Sequence, residues 1–356
     1  MTGRERVLAV IKREQPDRVP TFEWAINADV IKAITGDMSF DDFVEIANLD
    51  AVMCKPIYLK KPIENNMLVD EWGVTRMICQ DDYAMAMDKF SPIRDWADLE
   101  KWEPPDPYAL HRFELMKQQI ERFKGNKAIF VQIRDVFSNP RDLMGYEKML
   151  INCIQNPDLV NALLEKCVDH SIKLVQISAE LGAEIVITGD DIADNKSTLI
   201  SPKMFETLFI PHFRRLIQAI HDCGLYIWKH TDGNIMNVMD MLIDAGIDGI
   251  DPIDPLAKMD LSTVKRHWGN RVAIKGNVDC VKLLTDGIED DVIEAVKECI
   301  RVAGPGGGYV CSSSNTIHSG VKPELYQSML KSINEYGKYP LDMDKLAPSK
   351  KAKKVR

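Results

Sequence analysis

Three things are scarce in this chain of 356 residues, and each scarcity excludes a class of protein. No apolar run approaches the length of a membrane span, and the start, Met1-Thr-Gly-Arg-Glu-Arg-Val, has no apolar segment behind its charges. A cytoplasmic protein without membrane contact is expected. Cations are outnumbered: 45 Lys and Arg face 54 Asp and Glu, a formal net charge of −9, which argues against nucleic acid as the partner. Paired cysteines are missing as well. Eight cysteines are scattered without a Cys-x-x-Cys, so neither a disulfide framework nor a thiolate-rich zinc knuckle is indicated.

What is present is an ordinary globular composition, 45% hydrophobic and 28% charged. The length suits one large α/β barrel. The region 57–107 is irregular and rich in Pro and Trp, with a hairpin expected at Asp70–Arg76, and reads as an excursion from the barrel. One domain is expected over 1–340. The basic end, 341–356, reads as a flexible tail.

From Lys127 onward, short apolar strands alternate with helical patterns. Ala128–Ile133, Ile185–Thr188, Leu225–Trp228, Gly249–Pro252, Val272–Lys275 and Tyr309–Ser312 are expected strands, joined by Val19–Trp24 and Leu49–Lys55 near the start. Helices are expected near 140–153, from Asn156-Pro157, from Ser201-Pro202 with a kink at Pro211, and over Ile235–Ala245. About eight strands mostly separated by helices predict a (β/α)₈ TIM barrel. A doubly wound sheet fits less well, because the glycine cluster Gly304–Gly308 precedes a strand instead of following one.

In a barrel, chemistry sits where strands end, and here most strand ends are polar. The stretch Leu225–Gly233 delivers His230 and Asp232 from a buried strand into a tight turn. Gly189-Asp190-Asp191 ends another strand, and Asp251, Asp254, Asn277, Asp279, Cys280, Asn315 and His318 end others. Each has a bland alternative: Asp190 and Asp191 as caps or loop ion pairs, Asp232 as a turn residue, Asp251, Asp254 and Asp279 as structural. Glu23, Trp24 and Asn27 leave the first strand, and Trp24 and Phe137 would either wall a flat apolar pocket or simply pack.

A series of motifs runs in one order through most of the chain: Val19-Pro20, Gly189-Asp-Asp-Ile-Ala193, Ser201-Pro-Lys-Met-Phe205, His230-Thr-Asp-Gly233, Gly246-Ile-Asp-Gly-Ile-Asp-Pro252, Lys275-Gly-Asn-Val-Asp279 and Val321-Lys-Pro-Glu324. In these the sequence resembles the uroporphyrinogen decarboxylase superfamily. The resemblance implies a (β/α)₈ barrel and one of two activities, porphyrinogen decarboxylation or cobamide-dependent methyl transfer. The decarboxylases carry arginines after the first strand and an aspartate after the second. Here those places read Phe22-Glu-Trp-Ala-Ile-Asn-Ala-Asp29 and Cys54-Lys-Pro56, so a substrate with many carboxylates is poorly served. The thiol-methylating branch holds zinc through His-x-Cys and a later Cys. This chain has Asp232 and Asn315 at those places.

The resemblance therefore implies the methyl-donor side: cleavage of a methyl ether, often a methoxylated aromatic, with the methyl group passed to the cobalt of a separate corrinoid protein. The leaving phenolate needs a proton or a Lewis acid. Zinc on His230, Asp191 and Asp232, with Cys280 a less favoured ligand, would supply the second. His230 held protonated by those aspartates would supply the first. Glu23, Trp24, Asn27, Phe137, Asn277, Asn315 and His318 are the expected substrate contacts. A homodimer through barrel helices is compatible with this reading, and a catalytically silent barrel that binds a corrinoid or a partner is the alternative outside enzymology.

Overall fold

A computed structural model describes residues 1–79 and 84–348. Its centre is a seven-stranded, all-parallel sheet in the order β1 (Ala51–Cys54), β6 (Ala128–Ile133), β7 (Ile185–Gly189), β8 (Tyr226–His230), β9 (Gly249–Asp251), β10 (Ala273–Val278) and β11 (Tyr309–Ser313). Strand neighbours follow chain order, and a helix covers most crossovers, the longest being Pro157–Leu181.

The expected strand Val19–Trp24 does not form a ladder. It is an extended segment held by isolated bonds on both sides: Asp50 N–H donates to Thr21 O (2.8 Å), and Cys311 N–H donates to Pro20 O (3.0 Å). Pro20 contributes to this, since it has no N–H to donate to a neighbouring strand. The first and last strands of the sheet thus flank the same segment, and the sheet curls around an interior.

Strand alternation divides the core in two. Inside the curl lie Phe22, Ala51, Ala128, Phe130, Ile185, Ile187, Trp228, Ala273 and Val310; between sheet and helices lie Val131, Val186, Ile227, Ile250, Ile274 and Cys311. Phe22, Phe130 and Trp228 meet at centroid separations of 4.5–6.0 Å and fill the middle of the interior. The first helix, Gly3–Ile11, starts at a capping box between Thr2 and Glu5 and puts Val7, Val10 and Ile11 into the same inner cluster. It plugs the end where the strands begin, leaving the other end open to chemistry.

Three strand positions require glycine, among them Gly276 of β10, where φ is positive and a Cβ would strike Pro252 O. A Cβ on Gly249 would land on the buried indole of Trp228, and one on Gly189 would strike the indole of Trp24.

The region 57–107 is more regular than expected. It contains a four-stranded antiparallel sheet, β2 (Lys60–Ile63), β3 (Met67–Asp70), β4 (Thr75–Ile78) and β5 (Ala84–Ala86), in sequential order. The helix expected near 140–153 is two helices, Ser138–Met144 and Tyr146–Gln155, separated at Gly145. The helix expected from Ile235 begins at Met239, because Asn234 does not cap it: its side chain accepts from Met236 N–H and donates to Ala257 O. Before Pro211 the chain makes a π-helical turn, Phe205–Phe209, in place of a simple kink. Proline has no N–H for the carbonyl four residues back, and a wider turn absorbs the mismatch. Among the described residues no helix is long and apolar enough to cross a membrane. The basic end beyond residue 348 lies outside the described residues.

Candidate active site

The interior alternation that buries Ile187, Trp228 and Ala273 has a consequence two residues further along each strand. Gly189, His230, Asp251 and Lys275 occupy the next inward positions, at the open end. Apolar layers thus give way to a polar one at the mouth. Register makes it compact, with Gly189 beside His230 and His230 beside Asp251.

His230 is 4% exposed. Its Nδ1–H donates to Asp251 Oδ2 at 3.0 Å, and the same oxygen accepts from Lys275 Nζ at 2.8 Å. That bond assigns the tautomer and leaves Nε2 facing the mouth. Nε2 lies 3.7 Å from Asp232 Oδ1. Burial works against the charged imidazole, but Asp251, Asp232 and Asp191 outweigh it, so its pKa is raised. Burial also opposes the ionisation of Asp251, yet Lys275 and His230 hold its pKa down at about 2. Asp232 has the reverse balance, with burial raising it to about 6 against the pull of His230. Trp24 lies flat on His230, centroids 4.1 Å apart and planes 11° apart, and so covers one face of the imidazole.

Asp191 Oδ1 accepts from Asp232 N–H at 3.0 Å, and Asn315 Nδ2 donates to Asp232 Oδ2 at 2.6 Å. Asp232 Oδ1, shielded from solvent, has no hydrogen-bond partner. The ligand atoms of Asp191, His230 and Asp232 all lie within 4.8 Å of one another. A separation of 3.7 Å is too long for a hydrogen bond, yet near the roughly 3.4 Å between two ligands of one tetrahedral zinc. The orphaned oxygen, the free Nε2 and the carboxylate that orients the histidine suit a divalent ion with hard ligands.

Other expected site residues have other work. Phe137 is wholly buried and packs on Phe209 at 5.6 Å between sheet and helices, so it does not wall the site. The reason is position: it precedes the helix Ser138–Met144, and its N–H donates to Asp190 Oδ2. Asp190 points the same way, behind the sheet, where Lys229 bridges Asp135 Oδ2 (2.6 Å) and Asp190 O (2.8 Å). Asn27 caps the helix Ala28–Thr35, accepting from Asp29 N–H. Asn277 ties Ile253 O to the Cys299 thiol, and His318 accepts from Gly320 N–H within its own turn. Asp254 and Asp279 accept backbone N–H groups of their own loops. The Cys280 sulfur sits against Ser314 Oγ at 3.5 Å; burial pushes its thiol up to about 11 and keeps it protonated.

Glu23, an expected substrate contact, has its carboxylate turned to the interior. It is buried, accepts from the Ser313 hydroxyl and N–H, and stands near Lys275 and Asp251; burial raises it to about 7. The sequence places Asp251 at a strand end with a structural reading and gives Lys275 no role at the site. Their signal was the two-residue period, since Gly249-Ile250-Asp251 and Ala273-Ile274-Lys275 put a charge inward after a small residue.

The chain belongs to the uroporphyrinogen decarboxylase (URO-D) family, whose profile matches residues 88–336. The curated relatives it is similar to include both cobamide-dependent methyltransferases and decarboxylases. It is 28% identical over 228 residues to the methylcobamide:CoM methyltransferase MtbA of Methanosarcina acetivorans, a match covering 61% of this chain and 64% of that one. A uroporphyrinogen decarboxylase of Pseudoalteromonas atlantica is 20% identical over 270 residues, 70% and 71% of the two chains. The match thus spans less than two thirds of the MtbA relative's length. A solved methyltransferase from Methanosarcina mazei shares the fold, with a TM-score of 0.75 at 19% identity over 94% of this chain and 99% of that one.

Proposed function

We propose that this protein is a corrinoid-dependent methyltransferase that demethylates a methyl ether, a methoxylated aromatic in our reading, and passes the methyl group to the cobalt of a corrinoid protein. The observation that supports it best is the donor set at the mouth, Asp191, His230 and Asp232, made of nitrogen and oxygen alone. Hard ligands suit an oxygen substrate, and a site built to activate a thiol calls for thiolates. In this reading the segment Val19–Glu23 serves as the eighth stave of a (β/α)₈ barrel, with the antiparallel sheet as its rim.

The methyl carbon–oxygen bond breaks, the methyl group leaves for the corrinoid cobalt, and the bonding pair stays on the ether oxygen. Zinc held by Asp191, His230 and Asp232 would supply a Lewis acid for that oxygen. Asp251 holds the imidazole by Nδ1–H so that Nε2 is presented to the ion, and Lys275 compensates the buried carboxylate. Asn315 fixes the second carboxylate oxygen of Asp232. Trp24 shields the face of His230 and offers an apolar wall to a flat ring.

The test combines metal analysis with a spectrum. Purified protein should contain about one zinc per chain, and His230→Ala and Asp191→Ala should lose it. Mixed with cob(I)alamin or a corrinoid protein and a panel of methoxybenzenes, the wild type should convert the cob(I) absorption to that of methylcobalamin, and His230→Ala should slow this at least about 100-fold. No conversion with any ether and any corrinoid carrier would end this reading.

A further inference from the structure

A second feature at the mouth has no part in the chemistry above. Where β1 and β6 end against the antiparallel sheet there is a cavity of about 330 Å³. Four cations line it, Lys55, Lys60, Arg76 and Arg134, with Asp70 the only carboxylate in its wall among the described residues. That carboxylate is already spent: Arg76 pairs with Asp70 at 2.7 Å and with Asp142 at 3.0 Å, and Asp70 also accepts from Trp72 and Val74 N–H. Arg134 donates to Gly189 O and stands 3.6 Å from Asp190. For Lys55 and Lys60 no carboxylate lies within ion-pair distance among the described residues. Burial of the Lys55 ammonium against the cavity wall, with the charge on Lys60 second, lowers its pKa. In a chain of net charge −9 such a concentration is a local exception.

The cavity adjoins the metal-binding cluster. Gln132, in its wall, has Nε2 3.3 Å from where a Cβ of Gly189 would stand, over the glycine that Trp24 covers. The strand order β1, β6, β7, β8 puts the β6 wall of the cavity two strand spacings from His230, roughly 10 Å, and Lys55 at the end of β1 one spacing further.

We infer that this cavity is an anion subsite that takes a carboxylate on the substrate, so that the methyl ether is an aryl ether acid with its carboxylate at Lys55 and Lys60 and its ether oxygen at the His230 cluster. The assignment of the ether end rests on the function proposed above; the anion subsite does not.

The test is calorimetric binding to the full chain, comparing 3-methoxybenzoate, the isosteric neutral 3-methoxybenzamide, and benzoate, which has no methyl group to lose. The wild type should bind the acid at least about tenfold tighter than the amide. The Lys55→Ala/Lys60→Ala double variant changes side chains with no structural ion pair. It should bring the acid down to the amide's affinity, leave the amide unchanged, and weaken benzoate alike. Equal binding of acid and amide by the wild type, or a preference that survives the double variant, would overturn the inference. If benzoate binding depends on the two lysines while no ether yields its methyl group, the subsite stands and the methyl-transfer reading falls. If neutral methoxybenzenes are demethylated as fast as the acid, the subsite falls and the methyl-transfer reading stands.

Discussion

Glu23 shows how one carboxyl is shaped by its neighbours. It is buried beside Ser313 and within reach of the charges of Lys275 and Asp251, and burial sets its pKa at about 7. An unfolded glutamate ionises near about 4.3, so between those values the folded protein binds the proton more tightly than the unfolded chain. The stability from the neutral form is present at low pH and lost as pH rises through about 7. Glu23→Gln keeps an acceptor for Ser313 and removes the ionisation. Its melting temperature relative to wild type should therefore be raised at pH 8, with the difference fading toward pH 5. Calorimetric scans across that range check it, and a variant equally shifted at both pH values would show that Glu23 is not ionising there. Asp251 has the opposite sign: held at about 2 by Lys275 and His230, it contributes stability above about pH 4 that is lost on acidification through its folded value.

At the scale of the element, the active end depends on the packing beneath it. β9 is three residues long, and all three are buried. Its Gly249 makes room for Trp228 of β8, and its Asp251 receives His230 of the same neighbour. Any side chain on Gly249 must displace either the indole or the strand. Gly249→Ala should therefore cost about 1–3 kcal/mol, the range for overpacking a filled core, measured by urea denaturation. Because β9 moves Asp251 with it, the variant should also weaken the zinc binding proposed for the His230 cluster. A variant of wild-type stability would mean that the interior is looser than the close aromatic contacts imply.

For the molecule as a whole, the seam between first and last strands is the vulnerable place, and Asp50 holds it. The Asp50 carboxylate accepts two bonds from Arg18 (2.8 and 2.9 Å), one from Arg6 of the first helix (3.0 Å) and one from Thr21 N–H (2.8 Å). One buried side chain thus joins the plug helix, the extended segment 19–23 and β1. Asp50→Ala would strand the Arg18 guanidinium in the interior, while Arg6 keeps its pair with Asp17, and should cost about 3–5 kcal/mol. Urea denaturation again checks it. A loss under about 1 kcal/mol would mean that water satisfies the arginines and that the seam is held by backbone bonds alone.

Much of this was readable from residue order. The alternation of short apolar strands with helices set the parallel α/β architecture, because a buried strand and an amphipathic helix each leave a local periodicity. The same periodicity placed His230, Asp232 and Asp191 at strand ends, and the structure brings those three within 4.8 Å. Other matters were decided by contacts across the chain. Phe137 and Trp24 look alike as aromatics after strands, yet one packs on Phe209 and the other on His230. Asp251 ends the short strand β9 and Asp254 follows three residues on, and register pairs Asp251 with His230. Lys55, Lys60 and Arg134 belong to segments separated by up to 79 positions, and only the folding of the antiparallel sheet over β1 and β6 makes a single cavity of them. Periodicity reports which face a residue takes; which residues share a place depends on register and packing between segments far apart in sequence, which local order does not record.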